Sequence, residues 1–395
     1  MITSRLFTAP RRAVIGLMLA GSLFLAACGG VAGDSWAGIA RDPEGDAVYV
    51  AYNERVVALN PSSGAVQWEY KHDGAKFFAV PAIDDGSLYI GDYSGRLHSI
   101  KLQDGSRNWL YEPDTENIIG PISLTAGDRV ISGVAFNDDK VFFGLGSQNV
   151  VAVSRATAEE LWTFETGHGV WAAPLYVHAR EGDAGSRDTL YAVSLDHHLY
   201  ALDPETGDEL WKRDLGGAAP GNMVYDEQLN RIYIGTFMSE LVAVDLDQRA
   251  IIDRYETEGW LWGSPAIEVQ EDGTETLYFG DLDGYLYAVE VTENGFSQRW
   301  KMKIAEDAIR ATPLVTNGLV VVGSKDKNVY AVSKEDGSSE WSDQTGGEAL
   351  TELVLVPGSD GEQDGSIVVL GTSESDERIV AYNVETGEVD WRYAD

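Results

Sequence analysis

The feature that most constrains this sequence is a repeated pair of residues, in which a small side chain is followed ten or twelve positions later by an indole or a phenol. The small residues are Ala58, Ser99, Ala152, Ala201, Ala243, Ala288, Ala331 and Ala381. Their aromatic partners are Trp68, Trp109, Trp162, Trp211, Tyr255, Trp300, Trp341 and Trp391. Because the pairs recur every 41 to 53 residues, the chain consists of eight copies of one supersecondary unit.

Each unit has the pattern of short strands separated by tight turns. In the seventh unit, an apolar stretch at 313–315 precedes an Asn-Gly turn, and two runs of β-formers follow at 319–323 and 328–332. An Asp-Gly turn then leads to a fourth run, which holds Trp341. Runs of this length, divided by Gly, Asn and Asp, predict four antiparallel strands per unit.

A single four-stranded sheet cannot bury both of its faces, so the eight units must stack on one another. Eight twisted sheets can close into a ring. The sequence therefore predicts an all-β, eight-bladed β-propeller over residues 36–395. The first unit begins near residue 36 and the last ends at Trp391, so we expect the ring to close without a strand shared between its two ends.

The residue pattern of the repeat resembles that of a known family. The fourth unit reads Leu-Tyr-Ala-Leu-Asp at 199–203, Thr206-Gly207 and Trp211, and the eighth unit repeats this pattern at 380–391. It is similar to the PQQ-like β-propeller repeat family, and the resemblance covers residues 36–395. The resemblance implies the propeller fold. It does not imply one function, because members of the family include enzymes, scaffolds and sensors.

The first residues form a separate segment. Three arginines precede an apolar run that ends in Leu-Ala-Ala-Cys at 25–28, which resembles the lipobox of bacterial lipoproteins. This predicts a signal peptide at 1–27, followed by a lipidated Cys28 and a short tether over 28–35. An ordinary cleaved signal peptide with an unrelated cysteine is the alternative.

The charge of the chain limits its ligands. Without residues 1–27, the chain has 26 basic and 64 acidic residues, a formal charge of −38. Such a surface repels nucleic acid and anionic headgroups, so we expect neither as a ligand, and membrane contact only through the lipid anchor. Basic partners would be attracted. We expect a monomeric propeller.

The sequence has few of the residue patterns that enzyme chemistry needs. Quinone-dependent dehydrogenases have a similar repeat. The resemblance implies that such enzymes are longer than this chain and carry an adjacent cysteine pair and a bound calcium ion. This chain has one cysteine, and its six histidines show no metal-ligand spacing. The Asp-Leu-Asp-Gly run at 281–284 lacks the later ligands of a calcium loop. A hairpin turn explains this run and its counterpart at 92–95. We expect no catalytic residues, no cofactor, no metal site and no enzyme activity.

A set of extra aromatic residues precedes the first strand of several units, where a propeller has one mouth of its central channel. Aligned on four prolines, these residues are Phe78, Trp171, Trp262 and Arg310. The nearby residues are Phe77, Trp260 and His168. One interpretation is that these side chains plug the channel. The other is a partner-binding patch of Phe77, Phe78, Trp171, Trp260, Trp262 and Arg310.

Two further expectations concern unusual segments. Insertions at 112–129, 179–188, 268–275 and 357–365 are acidic or glycine-rich and predict surface loops. The fifth unit departs most from the repeat, since it has Tyr255 in place of Trp and an unusual turn. We expect this blade to be the one altered for a partner.

Taken together, the lipobox, short tether, eight PQQ-like units and lack of an enzyme site resemble the BamB-type outer-membrane assembly lipoproteins. That resemblance implies a non-enzymatic scaffold that binds the core protein of the β-barrel assembly machinery, or another envelope protein, at the periplasmic face of an outer membrane. In an organism with one membrane, the expectation becomes a surface lipoprotein on the outer face of the cell membrane, with an unknown ligand. A PQQ-binding oxidoreductase is the third alternative.

Overall fold

A computed structural model describes residues 37–42, 47–113, 129–180, 182, 185–270, 272–293, 295–357 and 366–394. The predicted signal peptide at 1–27 and the tether at 28–35, including Cys28, lie outside the described residues. Within the described ranges, no helix is long and apolar enough to cross a membrane.

The described residues form eight antiparallel sheets, each made of four consecutive strands. Blade one comprises β1 (Gly38–Arg41), β2 (Val48–Tyr52), β3 (Arg55–Leu59) and β4 (Val66–Lys71). Blade two comprises β5 (Ala82–Asp84), β6 (Ser87–Gly91), β7 (Leu97–Lys101) and β8 (Arg107–Tyr111). Blade three comprises β9 (Ala135–Phe136), β10 (Lys140–Gly144), β11 (Asn149–Ser154) and β12 (Glu160–Glu165). Blade four comprises β13 (Leu175–Val177), β14 (Thr189–Val193), β15 (His198–Leu202) and β16 (Glu209–Asp214).

The second half repeats this arrangement. Blade five comprises β17 (Val224–Asp226), β18 (Arg231–Thr236), β19 (Glu240–Asp245) and β20 (Ala250–Glu256). Blade six comprises β21 (Ala266–Val269), β22 (Glu275–Gly280), β23 (Tyr285–Thr292) and β24 (Gly295–Lys303). Blade seven comprises β25 (Leu314–Val315), β26 (Leu319–Gly323), β27 (Asn328–Ser333) and β28 (Ser339–Gln344). Blade eight comprises β29 (Val354–Val356), β30 (Ile367–Gly371), β31 (Ile379–Asn383) and β32 (Val389–Tyr393). The predicted eight-bladed propeller is confirmed.

The repeated pair is a register mark between the third and fourth strands of a blade. Ala58 lies directly opposite Trp68, and Ala201 opposite Trp211. The same pairing holds in seven of the eight blades. The sixth blade keeps it at a spacing of twelve because its last two strands are longer.

The tryptophan joins its blade to the next one, and we call each such contact between neighbouring blades a seam. At the seam between blades three and four, the Trp162 indole N–H donates to the Pro204 carbonyl at 3.1 Å. Gly207 lies under the ring with φ +76°, and a Cβ there would come within 2.7 Å of it. At six seams the indole N–H donates to a carbonyl of this turn in the next blade, so we call the turn between the third and fourth strands the docking turn.

The fifth blade departs from the predicted pairing. Ala243 lies opposite Asp253, and Tyr255 lies opposite Leu241, so the predicted pairing of Ala243 with Tyr255 is wrong in register. The Tyr255 ring still packs against blade six, 5.9 Å from Tyr287. The Asp253 carboxylate accepts a hydrogen bond at 2.7 Å from the Phe296 amide in the docking turn of blade six. Gly295, with φ +126°, allows this carboxylate to approach. The fifth seam therefore has a carboxylate in the place of the indole, while a buried apolar cluster fills it and the Tyr255 ring lies 6.4 Å from Phe296.

The ring closes by packing between complete blades, as expected. The Trp391 indole N–H donates to the Pro61 carbonyl at 2.7 Å, so the last blade docks on the first as blade three docks on blade four. The hydroxyls of Tyr52 and Tyr393 lie 2.8 Å apart. A core cluster of buried residues from blades one and eight fills this seam. Neither end of the ring needs to borrow a strand from the other.

The predicted insertions have mixed outcomes. The segment 268–275 is not a surface loop throughout, because its two ends belong to β21 and β22, and Glu275 is buried. The loop at 179–188 is tied down where described, since Asp188 accepts hydrogen bonds from the Ala179 amide and the Tyr176 hydroxyl. Most of the insertions at 112–129 and 357–365 lie outside the described residues.

Candidate functional site

The residues that precede the first strands surround one cavity of about 130 Å³ at a mouth of the central channel. Phe78, Trp171, Trp262 and Arg310 all line it. These are the four residues that the proline alignment places together, and the predicted cluster at the mouth is confirmed as geometry. Whether a partner binds it stays a prediction.

Three of these side chains touch one another. The rings of Trp171 and Trp262 lie 5.9 Å apart, and the Arg310 guanidinium lies 4.8 Å above the Trp262 ring. Such cation–π contacts hold the cation on the ring face. The Arg310 Nε atom is buried and has no hydrogen-bond partner among the described residues. The arginine thus retains donor capacity at the mouth.

The opposite side of the mouth has a second aromatic contact. Phe78 stacks on Tyr93 with ring centroids 4.1 Å apart, and the Arg129 guanidinium lies 4.8 Å from the Tyr93 ring. Tyr93 belongs to the hairpin between β6 and β7, which the alignment on prolines did not cover. The channel mouth is therefore lined by aromatic rings that are each held by a neighbour.

The structure does not place Phe77 in the predicted patch at the channel mouth. Its side chain is fully buried and belongs to the core between blades one and two. Its backbone bridges Asn53 and Asp92, which turns the ring away from the channel and against His98 at 5.1 Å. Neighbouring residues in an extended chain point in opposite directions, so Phe78 faces the channel and Phe77 cannot. Phe77 is therefore a core residue, unavailable to a partner.

Trp260 belongs to an exposed group that we call the aromatic patch, formed by Phe237, Met238, Trp260 and Trp262. Phe237 lies between the two indoles, 5.3 Å from Trp260 and 5.6 Å from Trp262. Trp260 is 43% exposed and Met238 is 60% exposed. The patch continues from the channel mouth onto the hairpin of blade five. Sequence reasoning missed Phe237 and Met238. The equivalent hairpins have one such residue, for example Tyr93 or Leu282, so the second apolar residue, Met238, was a usable signal.

Acidic side chains surround the aromatic patch. Glu256 and Asp283 are exposed, and Asp283 lies against Gly259, next to Trp260. Glu258 is paired with Lys301 at 2.6 Å. An exposed apolar surface with an acidic rim favours a partner that carries both apolar and basic side chains.

The mouth cavity has one carboxyl group, Glu352, among its described lining residues. Burial raises the pKa of this carboxyl, and the Thr312 hydroxyl, which donates to it at 3.3 Å, opposes that rise. The described residues contain no group of three or more His, Cys, Asp or Glu side chains placed to hold a metal ion.

The aspartates of the hairpins are structural. Asp281 accepts hydrogen bonds from the amides of Asp283 and Tyr285 through one oxygen, and from Gly259 and the Tyr287 hydroxyl through the other. These bonds use both carboxylate oxygens inside the hairpin, as the turn interpretation of 281–284 predicts. At the equivalent position of blade two, Asp92 binds Arg96 and His98.

Comparisons with known proteins agree with this architecture. A family profile described as outer membrane protein assembly factor BamB matches residues 32–165, 111–295 and 238–394. The chain is 24% identical over 301 residues to the BamB of Yersinia pestis, covering 73% of this chain and 70% of that protein. It is also 28% identical over 209 residues to the quinohemoprotein alcohol dehydrogenase of Comamonas testosteroni, covering 49% of this chain and 29% of the enzyme. The chain thus spans less than a third of that dehydrogenase.

Solved structures show the same fold. The crystal structure of BamB from Moraxella catarrhalis superposes with a TM-score of 0.63 at 18% identity, covering 87% of this chain and 92% of that one. The Comamonas testosteroni dehydrogenase superposes with a TM-score of 0.58 at 17% identity, covering 80% of this chain and 66% of that one. These likenesses concern the fold. With the profile matching nearly the whole propeller, the chain belongs to the PQQ-like β-propeller family described as outer membrane protein assembly factor BamB.

Proposed function

We propose that this protein is a non-enzymatic, lipid-anchored scaffold that binds an envelope protein, with the core protein of the β-barrel assembly machinery as the first candidate. The observation that carries the proposal is the aromatic patch, which exposes Trp260 and Met238 beside the channel mouth. Trp is the side chain most often found at the energetic centre of protein interfaces, and Met adapts to varied surfaces. Family membership supports the choice of partner.

The donor set at the mouth supports a role without catalysis. A calcium ion takes six to eight oxygen ligands, whereas the described lining of the cavity has one carboxyl, Glu352. The chain has a single cysteine, so it cannot form the adjacent pair found beside the cofactor of quinone enzymes. The residues described here do not fit a calcium–quinone centre.

The anchor part of the proposal rests on Cys28 and the lipobox before it. Replacing Cys28 with Ala should release the protein from membranes into the soluble fraction. Retention of the Cys28→Ala protein in the membrane would contradict lipidation at this position.

The scaffold role is tested by affinity capture from detergent-solubilised membranes of the source cell. The wild-type protein should recover a β-barrel assembly protein, and the double variant Trp260→Ala, Met238→Ser should recover it about thirtyfold less, since loss of a Trp anchor costs about 2 kcal/mol or more. The matched control is Val66→Ser, which removes an apolar side chain that is 50% exposed on the outer strand of blade one.

Other outcomes of these experiments would support a different partner, binding site or activity. Recovery of a different envelope protein through the same patch would support the alternative of a surface lipoprotein with another partner. Equal recovery by the wild type and the double variant would contradict the patch as the binding site. Absorbance of bound PQQ together with alcohol oxidation, after addition of PQQ and calcium, would replace the scaffold with an oxidoreductase.

A further inference from the structure

The cavity at the channel mouth is bordered by an arginine that has no acid beside it. Within the described residues, the Arg310 guanidinium forms no ion pair, and its Nε atom is buried without a hydrogen-bond partner. The chain has 64 acidic residues against 29 basic ones, so a shortage of carboxylates does not explain this. Arg96, by contrast, lies 2.7 Å from the Asp92 carboxylate. A guanidinium has five N–H donors, and those of Arg310 are open to an acceptor from outside the described residues.

Asn222 provides a second donor in the lining of the same cavity. Its Oδ1 atom accepts a hydrogen bond from the Ala173 amide at 2.7 Å, which leaves its Nδ2 donors without a partner among the described residues. The cavity thus presents unused donors from two side chains. A carboxylate fits such a set, because its two oxygens accept a pair of parallel hydrogen bonds from a guanidinium.

The one carboxyl group among the described lining residues does not take this place. Glu352 lines the same cavity without an ion pair to Arg310, and it accepts a hydrogen bond from the Thr312 hydroxyl at 3.3 Å. Burial raises the pKa of the Glu352 carboxyl, and the bond from Thr312 opposes that rise. A raised pKa favours the neutral acid, which does not repel an incoming carboxylate and can donate a hydrogen bond to it.

A row of aromatic rings leads from Arg310 out to the exposed end of the aromatic patch. The Arg310 guanidinium lies 4.8 Å from the Trp262 ring, and Phe237 lies 5.6 Å from Trp262 and 5.3 Å from Trp260. We call these three rings the aromatic row. Since an extended chain advances about 3.3 Å per residue, the row can face about four or five residues of such a chain.

The two ends of the aromatic row differ in charge. Arg310 lies at the channel end, whereas the exposed Asp283 lies at the other end, against Gly259 and next to Trp260. A segment with a carboxylate at one end and a basic residue at the other is attracted in one direction and repelled in the reverse one. The surface therefore selects the orientation of a bound segment as well as its composition.

The size of the cavity limits what can enter it. Its volume of about 130 Å³ is below the roughly 300–1,000 Å³ of pockets that enclose a whole small ligand. The cavity therefore suits the end of a larger ligand that lies mainly on the aromatic row. A carboxyl group at the end of a peptide, or on a short side chain, has this size.

We propose that the channel mouth binds a peptide carboxylate through Arg310 and Asn222, and that the aromatic row binds the apolar residues next to that carboxylate. The bound segment is extended and apolar, with a basic residue toward Asp283. This inference rests on the proposed function, because the segment belongs to the protein that the scaffold holds. The carboxylate comes either from the end of a chain or from an Asp or Glu side chain.

Three matched synthetic peptides test the proposal, with affinities for the detergent-solubilised full-length protein measured by isothermal titration calorimetry. The first is acetyl-Lys-Phe-Ser-Leu-Gln with a free carboxyl end, the second is acetyl-Lys-Phe-Ser-Leu-Glu amide, and the third is acetyl-Lys-Phe-Ser-Leu-Gln amide, which has no carboxylate. At least one of the first two should bind about tenfold or more tightly than the third, as expected for hydrogen bonds to a charged group. Preference for the first assigns the carboxylate to a chain end, and preference for the second assigns it to a side chain. Equal affinity for all three, or no binding up to about 1 mM, would overturn the proposal.

Variants of the protein assign the preference to one arginine. Arg310→Gln should abolish the tenfold preference, and Arg310→Lys, which keeps the charge but loses the planar fork, should retain part of it. The matched control is Arg213→Gln, which removes the same charge from the outer strand of blade four, where Arg213 donates to the Arg249 carbonyl. An unchanged preference in Arg310→Gln, or its loss in Arg213→Gln, would contradict the assignment. The wild-type comparison decides the question if Arg310→Gln does not fold.

Failure of this inference can be told apart from failure of the proposed function. Capture of an envelope protein through Trp260 and Met238, with no preference among the three peptides, would overturn the carboxylate site and leave the scaffold. A tenfold preference that Arg310→Gln abolishes, with no envelope protein captured, would support the carboxylate site and contradict the scaffold.

Discussion

At the seam between blades three and four, an indole covers a glycine and donates one hydrogen bond, whereas at the seam between blades five and six a carboxylate accepts one. A fully buried indole removes roughly 150–250 Å² from water, which is an upper limit of about 4–6 kcal/mol at about 25 cal/mol per Å². A hydrogen bond to a charged group contributes about 1.5–3 kcal/mol. The comparison teaches that a carboxylate can replace the indole at one seam, because the apolar cluster between blades five and six and the Tyr255 ring still fill it.

The strongest way to break this comparison is to remove an indole. Trp162→Ala should lower the free energy of unfolding by about 3–5 kcal/mol, because it leaves a cavity over Gly207 and deletes the bond to Pro204. Urea denaturation followed by circular dichroism measures the loss. Trp162→Phe, which keeps most of the packing, should lose much less; equal losses in the two variants would mean that packing of the ring is not what holds the seam.

The docking turn offers a second test on the other side of the same seam. Gly207→Ala should cost about 2–3 kcal/mol, since it adds a Cβ at positive φ and places it within 2.7 Å of Trp162. Gly86→Ala is the control, because Gly86 has φ +70° but no atom within 4 Å of the new Cβ. It should cost about 1 kcal/mol from backbone strain alone. A similar loss in both variants, measured by thermal unfolding, would remove the indole contact from the explanation.

The carboxylate contact at the seam between blades five and six should contribute less than the indole does. Asp253→Ala leaves the Phe296 amide without its acceptor and should cost about 1–2 kcal/mol. Asp253→Asn retains an acceptor oxygen and should cost less. The urea denaturation midpoints of the two Asp253 variants and of Trp162→Ala rank the three losses of stability. A loss for Asp253→Ala as large as that for Trp162→Ala would show that the two seams are equally strong.

Acid should destabilise the seam between blades one and two. His98 is buried there, with the Tyr70 hydroxyl of blade one at 2.9 Å, and burial holds the pKa of His98 below its usual 6.5. A base with a lowered folded pKa contributes stability above about 6.5 that is lost as the pH falls below it. The wild type should lose up to about 1 kcal/mol between pH 6.5 and 5.5, relative to His98→Gln. Parallel urea midpoints of the two proteins across this range would contradict the assignment.

Much of this architecture could be predicted from the sequence because the repeat records a physical contact. Ten residues separate Ala201 from Trp211 because that is the length of the hairpin that places them opposite each other. The mouth residues Phe78, Trp171, Trp262 and Arg310 were likewise predictable, since strand direction alone brings them to one end of the channel. The repeat period and the strand direction can be predicted without any knowledge of side-chain contacts.

Other residues could not be found in this way. Asp253 occupies the tryptophan position, but a search for aromatics passes over it and selects Tyr255 instead. Glu275 lies in an acidic run that predicts a loop, yet it is buried as the first residue of β22. Phe77 and Phe78 are adjacent and similar, and their different environments depend on which way the strand entrance turns.

The most direct test of the account is the relative stability of the eight seams within one molecule. Hydrogen exchange of the wild-type protein at pH 7.5 can be followed for each docking turn separately. We expect the blade six turn, at residues 292–298, to open most readily and the turns beneath Trp162, Trp300 and Trp391 to be protected by at least tenfold more. Protection of the blade six turn equal to or greater than that of these turns would contradict the claim that a docked indole holds the turn of the next blade more firmly than the Asp253 carboxylate does.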